Sequence, residues 1–242
     1  MFDHNHHQKI LLILQSLNAS IFREVGAYFG GGTLITLLCG EYRWSKDVDF
    51  ICPVGPGYRR LREIVAEGTL KPAVLFNTTG QLRLPRDISA DQYGVRFPVI
   101  VDDVPIKFEI IAEARIALNA AEYFDKIPVP CLGFEDQCSE KLLANADRWL
   151  DTSIESRDLI DLAVLRLQKP IPDAAISKAE AAYPVMPDLQ KALTKFQDFP
   201  EYRKKCFAAL EIENSSLIID GIDLLAHDFG MQATKRRPEE SR

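Results

Sequence analysis

One stretch constrains this chain more than any other: Ala27 to Pro53, AYFGGGTLITLLCGEYRWSKDVDFICP. A short strand, Ala27 to Phe29, runs into the triplet Gly30-Gly31-Gly32, and Thr33 to Leu38 then reads as a helix entered directly from those glycines. Glycines at such a turn let the backbone approach a ligand closely. The helix behind them presents unpaired N–H groups and a partial positive charge, which suits a phosphate chain. Asp47 to Ile51 follows as a strand in which Val48 and Phe50 alternate with Asp47 and Asp49. Residues two apart on a strand share a face, so both carboxylates point one way and the apolar pair points to the core. Two carboxylates on one side do not readily stay ionised together without a cation. Hard oxygen ligands of this kind suit Mg²⁺ bound to phosphates.

A third acid extends the pattern. Gly94 to Val101 and Val104 to Ile111 read as two strands joined by a tight turn at Asp102-Asp103, which carry no other role. Within the second strand Lys107 and Glu109 share one face, and Phe108 and Ile110 the other. If this strand neighbours the Asp47 strand, Glu109 joins the acidic pair, and three carboxylates spanning two metals can clamp an attacking and a leaving oxygen. A glycine triplet alone is ordinarily a tight turn, and a DxD alone is ordinarily a solvated strand face. The combination of glycines, helix, Arg43-x-Ser45 and a DxD strand is what is specific.

Elsewhere the organisation is simpler. His7 to Leu17 reads as an amphipathic helix, Tyr58 to Ala66 as a second, and Val74 to Thr78 as a strand. After Phe134 the strand signals vanish, and helices are predicted near 135–149, 155–168, 173–182, 187–197, 200–210 and 215–229. The chain of 242 residues therefore divides into an α/β core, 1–133, and an all-helical C-terminal part, 134–242, an α+β class. The apolar run near the N-terminus is too short for a membrane span and lacks a cleavage site, so no membrane partner is expected. Five cysteines without a CxxC pair fit reduced thiols of a cytoplasmic protein. The net charge of −6 makes the chain a poor generic binder of nucleic acid, so any polyanion must be held by a local basic patch or by metal ions.

Gly31-Gly32-Thr33 followed by Arg43-x-Ser45-x-Asp47-x-Asp49-Phe50 resembles the first motif of the AbiEii/AbiGii-type nucleotidyltransferases, with a spacer slightly longer than the pattern of the DNA-polymerase-β-like superfamily. Glu140-Lys141-Leu142-Leu143-Ala144, Asp147-Arg148 and Arg157-Asp158-Leu159-x-Asp161-Leu162 resemble that family's later helical motifs, so the matched stretches run from about 27 to 168. The resemblance implies a polymerase-β-like core with a small mixed sheet. It implies transfer of a nucleoside monophosphate from an NTP to an acceptor, with Mg²⁺ or Mn²⁺ as cofactor. The family members are toxin halves of toxin–antitoxin and abortive-infection systems. A tRNA 3′ end or another RNA is the expected acceptor, and a cognate antitoxin the expected protein partner. Carried over, Lys141 holds nucleotide phosphates and Asp158 supports catalysis; Asp47, Asp49 and Glu109 are the expected metal ligands, and Glu109 also helps to activate the acceptor hydroxyl. Gly31, Gly32, Thr33, Arg43 and Ser45 line the nucleotide. Lys141, Asn145 and Arg148 fall on one polar stripe of a helix, and Asp158 and Asp161 lie three apart on another, which agrees with that assignment.

Other candidates carry less. His4, His6 and His7 cluster at a terminus, and Cys52 has no histidine near it in sequence. Arg59, Arg60, Arg62, Arg83, Arg86 and Arg96 could form a basic rim for RNA or the wet side of local structure. Tyr42 and Trp44 could stack on a base, although packing is the commoner fate. Two alternatives stand beside the main reading. One is a transferase acting on a small, antibiotic-type molecule; the other is a non-catalytic nucleotide-binding module, against which the intact DxD argues.

Overall fold

The structure is a computed structural model that describes residues 2–240. It divides into two compact units: the chain up to Leu37 together with Lys46–Gly133, and Leu38–Ser45 together with the chain from Phe134 onward. The division is thus not a single cut in sequence, because the stretch between the glycine-led helix and the DxD strand groups with the helical unit.

The first unit is built on one mixed sheet. Its elements are α1 (Asn5–Ser16), α2 (Ala19–Val25), β1 (Tyr28–Phe29), α3 (Gly31–Leu38), β2 (Val48–Pro53) and α4 (Pro56–Glu67). There follow β3 (Leu82–Arg83), β4 (Ser89–Ala90), β5 (Gly94–Val101), β6 (Val104–Glu113), β7 (Glu122–Phe124) and β8 (Ile127–Cys131). The strand order is β3-β5-β6-β2-β1-β8-β7, with β4 added against β5. β2 runs parallel to β6, and β1 parallel to β8; the remaining pairs are antiparallel. Asp102 and Asp103 both adopt positive φ, 47° and 63°, the conformation that a two-residue hairpin turn demands.

Side-chain alternation fixes which face is core. Val48, Phe50, Phe108, Ile110, Val95 and Phe97 are buried on one face. Ring centroids there lie 5.6 Å apart for Phe50–Phe108 and 4.7 Å for Phe97–Phe108, so this aromatic layer seals the face opposite the acids. α1 packs against β8, and α2 against both α4 and β8.

One expectation is corrected here. Val74 to Thr78 is not a strand: Pro72–Leu75 forms a 3₁₀ turn, with a single bridge from Phe76 to Leu17. Pro72 opens that turn with the fixed φ of its ring. The region before Phe134 also holds α2, which the sequence reading passed over. Its signals were local all the same: the Asn18 side chain accepts from the Ser20 amide, and Gly26 closes the helix in the left-handed region at φ 67°.

The second unit is helical throughout its C-terminal stretch, with α5 (Phe134–Arg148), α6 (Arg157–Gln168), α7 (Asp173–Glu180), α8 (Met186–Asp198), α9 (Pro200–Ala209) and α10 (Ser215–Asp228). α6 is the most deeply buried, packing against α5 and α10. Among the described residues, no helix is long and apolar enough to cross a membrane.

Candidate active site

The glycine turn and the DxD strand hold each other. The Gly30 amide donates to the Asp49 carbonyl at 2.8 Å, and the Thr33 hydroxyl donates to the Asp47 carbonyl at 2.6 Å. Gly31 sits at φ +66° and a Cβ there would lie 2.7 Å from Asp49 Oδ2, so only glycine leaves room for that carboxylate at the start of α3. Thr33 is 1% exposed; its hydroxyl pins the strand carrying the acids rather than facing solvent. Gly31, Gly32, Asp47 and Asp49 are all half-buried.

The register supplies the third acid. Asp49 stands opposite Glu109 in the parallel β2–β6 ladder, and Glu109 stands opposite Arg96 in the antiparallel β5–β6 ladder. Partners in register project to the same face, so Asp49, Glu109 and Arg96 form one row across three strands, on the face opposite the aromatic layer. Arg96 donates to Glu109 at 2.9 Å, and Lys107, on the same face of β6, forms an ion pair with Glu109.

The donor set fits a hard divalent cation. Two aspartates two residues apart and a glutamate in register beside one of them are oxygen ligands of the kind Mg²⁺ takes, and Gly31 keeps the space at Asp49 Oδ2 clear of a side chain. Among the described residues, no three His, Cys, Asp or Glu side chains are gathered closely enough to hold a metal, and Glu109 is paired with Arg96 and Lys107.

A second charged assembly lies within the helical unit. Asp161 of α6 is its hub. It accepts from Tyr42 Oη at 2.5 Å and from both Arg43 Nε and Nη2 at 2.6 and 2.9 Å, and Lys141 Nζ lies 2.6 Å away. Asp158, one turn earlier, accepts from Lys141 at 2.9 Å and from Arg148 at 2.6 and 2.9 Å. Arg43, Lys141, Asp158 and Asp161 are 3%, 5%, 2% and 0% exposed. Burial alone would raise both carboxyls, but Lys141 and Arg148 hold Asp158 below its ordinary range, and Arg43 and Lys141 do the same for Asp161. Burial and the Asp161 charge together push the Tyr42 hydroxyl well above its usual value. Burial opposes the Arg43 charge, and Asp161 more than offsets it.

The predicted polar stripe of α5 is therefore not a wet face: Lys141 and Asn145 are buried, and the stripe meets acids of α6. Arg43 and Ser45 are buried as well, and Trp44 is anchored by its amide to the Leu210 carbonyl at 2.8 Å. Sequence reading named Asp161 without giving it a role and offered Tyr42 for stacking. The Asp158-x-x-Asp161 spacing was the only signal of a shared partner.

Of the arginines weighed as a basic rim, Arg60 is engaged by Glu24, Glu63 and Glu67, Arg83 pairs with Asp103, and Arg96 reaches the carboxylate row. Cys52 is buried, which pushes its thiol up to about 12 and removes it as a nucleophile at neutral pH. His6 Nε2 lies 3.0 Å from the Lys46 carbonyl, and its ring packs near that of His7.

Comparison with curated proteins yields no match. Among solved structures, the chain is similar to a candidate nucleotidyltransferase from H. pylori, at 18% identity and TM-score 0.48 over 90% of this chain and 89% of that one. It is similar to an antigenic nucleotidyltransferase-like protein from Paracoccidioides brasiliensis, at 14% identity and TM-score 0.47 over 86% and 95%. It is also similar to the antibiotic-resistance factor ANT(2'')-Ia, at 18% identity and TM-score 0.33 over 86% and 97%. Residues 13–214 match the profile of the nucleotidyl transferase AbiEii toxin of the type IV toxin–antitoxin system, and the chain belongs to that family.

Proposed function

We propose that the protein moves a nucleoside monophosphate from an NTP to a hydroxyl of an RNA acceptor, a tRNA 3′ end foremost, with pyrophosphate leaving. The observation that carries this reading is the in-register pair Asp49 and Glu109, with Gly31 clearing the space beside the Asp49 carboxylate, in a chain of the AbiEii family. Asp47, Asp49 and Glu109 would hold Mg²⁺, or Mn²⁺ in its place. When bound, such metals stabilise charge on the transferring phosphoryl group and on the leaving pyrophosphate. The backbone amides at the start of α3, from Gly31 and Gly32, bind phosphate oxygens, and Thr33 keeps β2 in register with them. A Glu109 oxygen accepts the proton of the acceptor hydroxyl as the new O–P bond forms. Family resemblance assigns Lys141 to the neutralisation of phosphate charge and Asp158 to its support, with Arg43 and Ser45 as further nucleotide residues. The Asp161 hub gives Arg43 an additional role, as the residue that ties the stretch before the DxD strand to α6.

The setting is a cytoplasmic one in which NTP, RNA and a cognate antitoxin are all available. The direct test incubates the protein with each labelled NTP, Mg²⁺ and total tRNA. Label should enter RNA with one NTP preferred and pyrophosphate released in equal amount. Pyrophosphate release without labelled RNA would move the acceptor to another class, and neither product with any NTP would remove the transferase reading.

A further inference from the structure

Beyond Glu109 the carboxylate row turns basic, and its order has a consequence for the acceptor. Across the sheet the sequence of side chains is Asp49 on β2, Glu109 on β6 and Arg96 on β5. Lys107 stands two residues before Glu109 on the same face, with its side chain 57% exposed, and the Arg96 side chain is 36% exposed. Glycines and α3 lie on the Asp49 side of the row, where β1 continues the sheet. Of the two cations, Arg96 lies on the other side, where β5 continues it, and Lys107 lies on β6 itself, two residues before Glu109. A nucleotide held at the glycine turn occupies the Asp49 side. A group whose hydroxyl meets Glu109 from the opposite direction extends over β6 and β5, past Lys107 and Arg96.

We propose that Lys107 and Arg96 form an acceptor subsite that holds backbone phosphates of an RNA strand beside Glu109. The inference rests on the transfer reading above and adds the side of the site from which the acceptor enters. Charge decides the class of acceptor. Both cations are paired with Glu109, and Arg96 also lies 3.5 Å from Asp91. When Glu109 turns to a divalent cation, Lys107 loses its carboxylate partner on an exposed strand face and Arg96 loses one of two. Phosphates of an incoming strand replace those partners. A polycationic small molecule would meet the same two side chains as like charges, so the subsite discriminates against it. The chain as a whole is net acidic at −6, which makes a local basic pair beside the acids the kind of feature a polyanion needs.

The test measures binding of a short fluorescent single-stranded RNA by anisotropy against KCl concentration, in Mg²⁺ without NTP. It compares the wild type, Lys107→Ala, Lys107→Glu and Lys204→Ala, an exposed lysine of α9. Removing one phosphate contact from a single strand should lower the salt slope by about 0.7. Lys107→Ala should therefore bind severalfold more weakly with a shallower slope, Lys107→Glu more weakly still, and Lys204→Ala like the wild type. In transfer assays Lys107→Ala should raise KM for RNA and leave KM for NTP unchanged. An unchanged slope in Lys107→Ala, an equal loss in Lys204→Ala, or a wild type that binds no RNA would each overturn the subsite. A wild type that transfers to RNA while Lys107→Ala changes nothing defeats the subsite alone. A wild type that binds RNA in a Lys107-dependent way but transfers no nucleotide upholds the subsite and defeats the transfer reading.

Discussion

The two units treat charge in opposite ways. On the strand unit, Asp47 and Asp49 are half-buried at one side of a sheet face, and Glu109 is shared with the exposed Lys107 and Arg96. In the helical unit, Asp158 and Asp161 are closed away from water, and each is matched by two cations. Exposed charges whose partners can be exchanged cost little to rearrange and suit ligands that come and go. Buried charges with full sets of hydrogen bonds resist rearrangement, because breaking one pair strands another in a low dielectric. The comparison places exchangeable charges on the sheet face and fixed geometry in the helix cluster.

The largest expected effect would come from the sheet face. Asp49→Asn removes one metal-binding charge without disturbing the aromatic layer on the opposite face, so transfer should fall by at least about 10³-fold, several kcal/mol of transition-state stabilisation. Thermal unfolding should move little. Near wild-type transfer by this variant would sink the two-metal reading.

Next comes the hub. Asp161→Asn leaves Arg43 and Lys141 without their carboxylate, and breaking a buried pair typically costs about 3–5 kcal/mol. The urea midpoint should drop accordingly, with an unchanged m-value if the folded state survives. A variant that keeps its stability would break the comparison, since the cluster would then not be a fixed frame.

Lys141 sharpens the same point. Its ammonium bridges Asp158 and Asp161, so Lys141→Ala should lower stability as well as rate. Assayed at equal folded fraction, a lysine directed at phosphoryl charge should still cost on the order of 10²-fold in transfer. Lys204→Ala serves as the control; Lys178 would serve poorly, because it pairs with Glu135 and Asp136. Equal, small effects on transfer in the two variants would confine Lys141 to holding the helices.

The smallest effect is a pH dependence. Asp158 and Asp161 have folded values held below the ordinary carboxyl value of 3.8 by Lys141, Arg148 and Arg43. Their stabilisation is complete above that value and is lost as pH falls through it toward the lower folded values. Denaturation midpoints should therefore be steady between about pH 7 and 5 and decline below about pH 4, with a shallower decline in Asp158→Asn. A midpoint that rises as pH falls would contradict the pairing.

What could be read without coordinates was whatever depends on near neighbours. The helices after Phe134 were legible because apolar residues recur at the helical period, and the hairpin at Asp102-Asp103 because two strands of clean alternation meet at a turn. The DxD face was legible for the same reason: alternation alone puts Val48 and Phe50 opposite Asp47 and Asp49. The match of Asp49 to Glu109 was a conditional statement, true only if β2 and β6 are neighbours, and the ladder between them is a fact of the fold.

The sequence by itself determined the periodicities, the glycine turn and the order of the motifs, since each is set by sterics and hydrogen bonding within a few residues. The tertiary structure alone decided which charges are open and which are sealed. Arg43 stands just before the DxD strand in sequence, yet its carboxylate partner lies 118 residues away on α6. Arg96 looked like one arginine of a rim, yet the β5–β6 register sets it against Glu109. The energy of a charge depends on the dielectric and the partners that close around it, and those come from segments remote in the chain, brought together only when the whole apolar core collapses.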